Sequence, residues 1–81
     1  MDIESLRALI RSKLRDGSLP WDSIPRVWGG KAANEICSAC GEKVTPEALV
    51  MEGIGEHIKS VQFHVACFHM WDVERRLGPA D

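Results

Sequence analysis

Apolar side chains recur every three or four positions across residues 2–16, which is the spacing of one face of an α-helix. Arginine and lysine side chains occupy the remaining sides, as is usual for a surface helix. Asp2 can cap the first turn, and Gly17 can end the helix in a left-handed conformation. The stripe either packs on the rest of the domain, which is the simpler interpretation, or binds a partner. It consists of Ile3, Leu6, Leu9, Ile10 and Leu14.

The next segment, residues 18–35, is rich in proline, glycine and tryptophan. Pro20 and Pro25 lack the amide hydrogen that helices and sheet ladders use, so an irregular connector is predicted here. Trp21 and Trp28 are large apolar rings that a flexible linker does not need. We expect both rings to fold back over the core. The alternative is an exposed aromatic binding surface.

The second half of the chain has a different pattern. Residues 44–63 contain two short apolar runs around Gly53 and Gly55, which predicts a β-hairpin. Helical spacing returns in residues 65–77, and Gly78 followed by a proline is a helix stop signal. The predicted order is therefore a helix (1–17), a connector (18–35) and a hairpin–helix unit (36–77).

Length and charge restrict the class of protein. The 81 residues suit one domain, which we expect to span 1–81. A domain this small buries only about 60% of the surface that its unfolded chain exposes. We therefore expect an additional stabilising element, such as a disulfide or a bound metal. The net charge of −2 gives no bulk attraction to nucleic acid or acidic membranes. The charged N-terminal segment has neither a signal-peptide core nor a membrane span, so we expect a cytoplasmic protein with reduced thiols and no membrane association.

Three cysteines and one histidine form two matched pairs. Two residues separate Cys37 from Cys40 and His64 from Cys67, and 23 residues lie between the pairs. Two such pairs around a hairpin are typical of structural zinc, because each tight local turn presents two ligands. A redox Cys-x-x-Cys is expected within a βαβ unit, which this pattern does not provide. We therefore predict one structural, tetrahedral zinc ion in a Cys3His site.

The choice of histidine follows from spacing. His64 has the correct interval from Cys67, and His57 in the predicted hairpin is the better substitute should His64 fail. His69 falls on a different helix face from Cys67. Four protein ligands leave no coordination position for water or substrate, which a catalytic zinc requires. We therefore do not expect an enzyme.

The knuckle CSACG, a hairpin and a helix beginning HVAC resemble a treble-clef zinc finger. The first zinc module of LIM domains has the same ligand order followed by an aromatic residue, here Trp71. The resemblance covers residues 36–77 and lacks the ligands of a second LIM module. The chain is also similar to small bacterial proteins that carry one such finger. The resemblance implies a small α+β zinc-stabilised domain whose ligands are Cys37, Cys40, His64 and Cys67.

Three functions are compatible with this sequence. The first is a protein-interaction or regulatory adaptor module, which binds another protein or a second copy of itself through surplus apolar surface. The second is a nucleic-acid-binding finger, although acidic residues are interspersed among its cations. The third is a redox switch that ejects zinc when its thiolates are oxidised. The predicted partner surface is Leu6, Ile10, Leu14, Trp21 and Trp28, and the candidate nucleic-acid cations are Arg7, Arg11, Lys13, Arg15, Arg75 and Arg76.

Overall fold

The N-terminal helix has the bounds that its end signals predict. A computed structural model describes residues 2–21, 24, 26–54 and 60–78 of the chain. Helix α1 spans Ile3–Asp16. The Asp2 carboxylate accepts a 2.7 Å hydrogen bond from the Ser5 amide, and Gly17 ends the helix with φ +86°. Within the described segments, neither this helix nor the C-terminal one is long and apolar enough to cross a membrane.

Five short strands and a second helix follow in the described part of the chain. The strands are β1 (Arg26–Lys31), β2 (Glu35–Ile36), β3 (Lys43–Val44), β4 (Leu49–Ile54) and β5 (Val61–His64), and helix α2 is Val65–Leu77. The main sheet is antiparallel in the order β1-β4-β5, while β2 and β3 pair as a separate ribbon. The predicted α+β class and the final helix are therefore confirmed. The antiparallel strands β4 and β5 lie where the hairpin was predicted, but Gly53, expected near the turn, pairs within β4 opposite Val61. Gly55 lies outside the described residues.

Strand β1 corrects the prediction of an irregular connector over residues 18–35. It pairs with β4 along its whole length, from Arg26 opposite Ile54 to Lys31 opposite Leu49. The proline at position 25 precedes the strand, so it removes no amide from the ladder. The strand also lies at the edge of the sheet and is mostly exposed on both faces. It therefore lacks the apolar alternation that predicts a strand.

The core is centred on Trp71, which joins α2 to the sheet and to the connector. Its ring stacks on Phe63 of β5 at 5.4 Å between centroids, and Phe68 lies 5.7 Å away. The indole Nε1 donates a 3.0 Å hydrogen bond to the main-chain oxygen of Pro20. The buried apolar side chains are Ile10, Leu14, Leu19, Ile24, Ala32, Cys37, Ala39, Val44, Val50, Val61, Phe63, Cys67 and Trp71.

A buried carboxylate joins the two helices. Glu74 of α2 is 3% exposed and accepts hydrogen bonds from Arg7 Nε at 3.1 Å and Arg11 Nη1 at 2.8 Å. Both arginines belong to α1, so the ion pairs hold the helices at a fixed separation. A buried charge without such partners is strongly unfavourable.

The burial of α1 corrects part of the predicted partner surface. Ile10 and Leu14 are fully buried in the core, because α1 packs its stripe against its own domain. They cannot present a surface to another molecule. Leu6 and Trp21 are half-buried against the same core, as the simpler interpretation expects. Trp28 was expected to fold back as well, but it is 42% exposed on β1.

Candidate metal centre

The first ligand pair lies on a tight loop between β2 and β3. The Cys37 amide donates to the Glu42 carbonyl at 2.8 Å, and the Gly41 amide donates to the Cys37 carbonyl at 2.9 Å. Gly41 has φ +80°, a left-handed conformation that glycine adopts without a Cβ penalty. These bonds fold residues 37–42 into a knuckle that turns Cys37 and Cys40 toward the same side.

The second pair lies at the start of α2. His64 is the N-cap residue, and its side chain makes no capping hydrogen bond. Cys67 follows three residues later, so both side chains lie on one face of the first turn. The free amides and dipole of a helix N-terminus favour negative charge, such as a thiolate brings. The imidazole is therefore not used to cap α2, and it can act as a metal ligand.

The fold brings all four predicted ligands together. The Sγ atoms of Cys37, Cys40 and Cys67 and a ring nitrogen of His64 all lie within 4.8 Å of one another. The Nδ1 atom of His64 is 3.4 Å from Cys40 Sγ and 3.8 Å from Cys67 Sγ.

These separations suit a tetrahedral ion. Zn–S and Zn–N bonds of about 2.3 and 2.0–2.1 Å imply an S···N edge of about 3.5 Å and an S···S edge of about 3.8 Å. The two S···N distances of 3.4 and 3.8 Å lie on either side of that S···N edge. The widest pair needs to close by at most about 1.3 Å. The chain therefore contains a Cys3His cluster that can hold one metal ion.

A hydrogen bond determines which nitrogen of His64 faces the cysteines. His64 Nε2 lies 3.1 Å from the main-chain oxygen of Lys43. A carbonyl oxygen only accepts, so Nε2 carries the proton and Nδ1 presents its lone pair. Metal-binding histidines are commonly oriented by such a bond, which raises the basicity of the other nitrogen.

The thiols influence one another strongly in the absence of a cation. The hydrogen bond from Cys67 lowers the pKa of Cys37, with help from the amides of Ala39 and Cys40. The same hydrogen bond, followed by burial and the charge on Cys37, raises the pKa of Cys67. Burial raises the pKa of Cys40. One thiol therefore loses its proton readily, whereas the other two do not. A bound divalent cation would favour deprotonation of all three, because it offsets the repulsion between their negative charges.

Three hydrogen bonds attach the knuckle to the rest of the fold. Ser38 donates its amide to the Gln62 carbonyl of β5 at 2.6 Å, and its hydroxyl accepts the Gln62 amide at 3.2 Å. Lys13 Nζ of α1 donates to the Ser38 carbonyl at 2.9 Å. A cation therefore lies beside the knuckle that carries Cys37 and Cys40.

The other two histidines have different positions. His69 is exposed on α2 and does not belong to the cluster, whereas His57 lies outside the described residues. Sequence reasoning missed the carbonyl of Lys43, the ammonium of Lys13 and the buried Glu74. The first is a main-chain atom without a side-chain signature, and the others depend on contacts between distant segments. Comparison of the chain with protein-family models, curated proteins and solved structures finds no match.

Proposed function

We propose that the chain is a small cytoplasmic protein-interaction module built on a structural zinc finger of the treble-clef type. The observation that carries this proposal is the convergence of four protein donors within 4.8 Å. Four such ligands complete a tetrahedral zinc shell and leave no position for a substrate or a reactive water. We therefore propose a structural role for the zinc, with no catalysis at this site.

The order of elements around the cluster supports the treble-clef assignment. A knuckle at residues 37–42 is followed by the β4–β5 hairpin, and α2 then begins at the second ligand pair. Bound zinc cross-links these two segments. Structural zinc contributes about 10–16 kcal/mol of apparent binding free energy. That is as large as the whole stability of a typical domain, about 5–15 kcal/mol.

The ion pairs of the helices argue against nucleic acid as the partner. Two arginines of α1 are bound to Glu74, and two arginines of α2 are bound to Asp72. Lys13 donates to the carbonyl of Ser38. These five cations are paired or held within the chain, so they are less available to bind phosphates.

The exposed apolar residues of the sheet support a protein partner instead. Val27 and Trp28 on β1 are 37% and 42% exposed, and Leu49 and Ile54 on the adjacent strand are 61% and 48% exposed. Aromatic residues are enriched where proteins bind one another. The β1–β4 register puts Trp28 and Ile54 on one face of the sheet and Val27 and Leu49 on the other. We therefore place the interaction surface along the β1 edge, which both groups flank, rather than on the apolar stripe of α1.

A binding experiment with zinc-loaded chain tests this function. Tagged wild-type chain is compared with Trp28→Ala and with Val73→Ala, which truncates another exposed apolar residue on α2. Self-association or capture of a protein partner should weaken in Trp28→Ala and persist in Val73→Ala. Saturable binding of short DNA or RNA at 150 mM salt, without any protein complex, contradicts the proposal.

A further inference from the structure

Among the described residues, nothing pairs with one hydrogen-bonding edge of strand β1. The register with β4 determines which residues direct their main-chain groups toward that edge. The Ala32 amide donates to the Ala48 carbonyl at 3.3 Å, one position beyond the β1–β4 register. Hydrogen-bonded and non-bonded pairs alternate in an antiparallel ladder. Trp28 and Gly30 therefore direct their main-chain groups toward β4. Residues 27, 29 and 31 direct theirs away from the sheet.

The opposite edge of the sheet leads to the same assignment. Gln62 of β5 bonds through its amide and its carbonyl to Ser38 of the knuckle, so its main-chain groups point away from β4. Alternation across the β5–β4 and β4–β1 registers again places residues 27, 29 and 31 outward. The β5 edge is therefore covered by the knuckle. No main-chain hydrogen bond joins the outward groups of β1 to another described residue.

We propose that this edge pairs with the same edge of a second copy of the chain, in an antiparallel, twofold-symmetric arrangement centred on Gly29. The inference deepens the proposed protein-interaction function and rests on it, since it names the partner. In this register Val27 lies opposite Lys31 of the second copy, and Gly29 lies opposite Gly29. All three outward residues then exchange hydrogen bonds, whereas a shift by two residues in either direction leaves one of them unpaired.

The side chains of β1 are complementary in this register. Trp28 lies opposite Gly30 of the second copy, as a non-hydrogen-bonded pair in which side chains approach most closely. A Cβ added to Gly30 would meet no atom within 4 Å, so this glycine leaves open space beside the tryptophan of the other copy. Large rings over edge glycines stabilise sheets.

Charge also favours the symmetric pairing. Lys31 lies opposite Val27, and Arg26 lies opposite Ala32, so no two cations are directly opposed across the new interface. Twofold contacts use the same surface on both copies, so each favourable pair occurs twice. The result is a continuous six-stranded sheet with the two knuckles at its outer edges.

Sedimentation equilibrium of the full zinc-loaded chain provides the first test. The expected result is a reversible dimer of twice the 9.0 kDa monomer mass. As the dimer forms, hydrogen exchange should slow at the amides of Val27, Gly29 and Lys31. Exchange at Trp28 and Gly30 should not change, because those amides already bond to β4. In a sample mixed from labelled and unlabelled chains, an intermolecular contact between the Hα atoms of Trp28 and Gly30 is expected.

Substitutions that introduce a positive or a negative charge at position 27 test the register between the two copies. Val27→Lys places two lysines opposite each other twice per dimer, and Val27→Glu places glutamate opposite Lys31. We expect Val27→Lys to weaken dimerisation by about 2- to 30-fold and Val27→Glu to strengthen it. The double variant Val27→Lys/Lys31→Glu should restore the affinity. Val73→Lys, on the exposed face of α2, is the matched control and should have no effect.

The outcomes separate this inference from the function on which it rests. A monomer at all concentrations that still captures another protein through Trp28 overturns the dimer and leaves the interaction function standing. A monomer that captures no protein overturns both. A dimer that Val27→Lys and Val27→Glu affect equally, or whose exchange slows at Trp28 and Gly30, overturns the proposed edge pairing. Zinc content and far-ultraviolet circular dichroism verify that each variant is folded.

Discussion

The imidazole of His64 donates its Nε2 proton to the main-chain oxygen of Lys43, across a distance of 3.1 Å. This bond joins the N-terminus of α2 to strand β3. It also turns Nδ1 toward Cys40 and Cys67, at 3.4 and 3.8 Å from their sulfurs. A main-chain acceptor in the β2–β3 ribbon thus selects the tautomer that the proposed zinc site requires.

The role of His64 is tested by comparison with His69. His64→Ala removes a ligand, so zinc affinity should fall by more than the roughly 10- to 100-fold that loss of an outer hydrogen-bond partner costs. His69→Ala, five residues away and exposed, should bind zinc as the wild type does. Competition with a chromophoric chelator measures both affinities. Equal affinities in the two variants contradict the ligand assignment.

The stability of the zinc-loaded chain should fall as the pH falls. The bound thiolates carry no protons, whereas Cys40 and Cys67 have raised pKa values without a cation and take up protons once the metal leaves. Since the released state binds more protons, the free energy of unfolding rises with pH and declines on acidification. Zinc release and thermal unfolding, followed together from neutral pH downward, measure this. Release that does not depend on pH contradicts a thiolate site.

The buried carboxylate of Glu74 should contribute more than Asp72 of the same helix, which is 25% exposed. Glu74→Gln removes the charge that Arg7 and Arg11 share, and should cost about 1–3 kcal/mol of unfolding free energy. Asp72→Asn interrupts a half-buried pair with Arg75 and an exposed pair with Arg76, and should cost about 1 kcal/mol or less. Chemical denaturation of both variants at saturating zinc compares them. A larger loss in Asp72→Asn would mean that α1 and α2 are not joined through Glu74.

Gly53 should tolerate no side chain while Ile24 is present. A Cβ at Gly53 would lie 2.8 Å from Ile24 Cγ2 and 3.1 Å from its Cδ1. Gly53→Ala should therefore cost about 1–3 kcal/mol through overpacking. In an Ile24→Ala background, which removes both contacting atoms, the same change should cost much less. A double-mutant cycle of unfolding free energies measures the coupling, and additive costs rule out this close approach.

The ligands could be predicted from the sequence because the two members of each pair are close together in the chain. When two ligands are separated by two residues on a tight turn, or on the first turn of a helix, the local backbone sets their relative position. The rest of the chain has little influence on it. The spacing therefore identified Cys37, Cys40, His64 and Cys67, and the structure places them in one cluster. The order of the hairpin and the last helix followed from equally local patterns.

The rest depends on contacts between distant parts of the chain. The sequence pattern does not predict strand β1, because an edge strand that is exposed on both faces has no alternation of apolar and polar residues. The strand is held instead by its pairing with β4, which is distant in the sequence. The burial of Glu74 requires arginines more than 60 positions earlier in the sequence. The apolar stripe of α1 predicted that one face of the helix is buried, but not what covers that face. From the sequence, Ile10 and Leu14 could therefore belong either to the domain's own core or to a surface that binds a partner.

Metal analysis combined with X-ray absorption at the zinc edge tests whether the Cys3His cluster holds zinc. We expect one zinc per folded chain, with three sulfur ligands at about 2.3 Å and one nitrogen ligand at about 2.0–2.1 Å. Removal of the metal should unfold the knuckle and the start of α2. A folded chain with far less than one equivalent of metal, or a zinc shell with fewer than three sulfurs, would contradict a structural Cys3His zinc site.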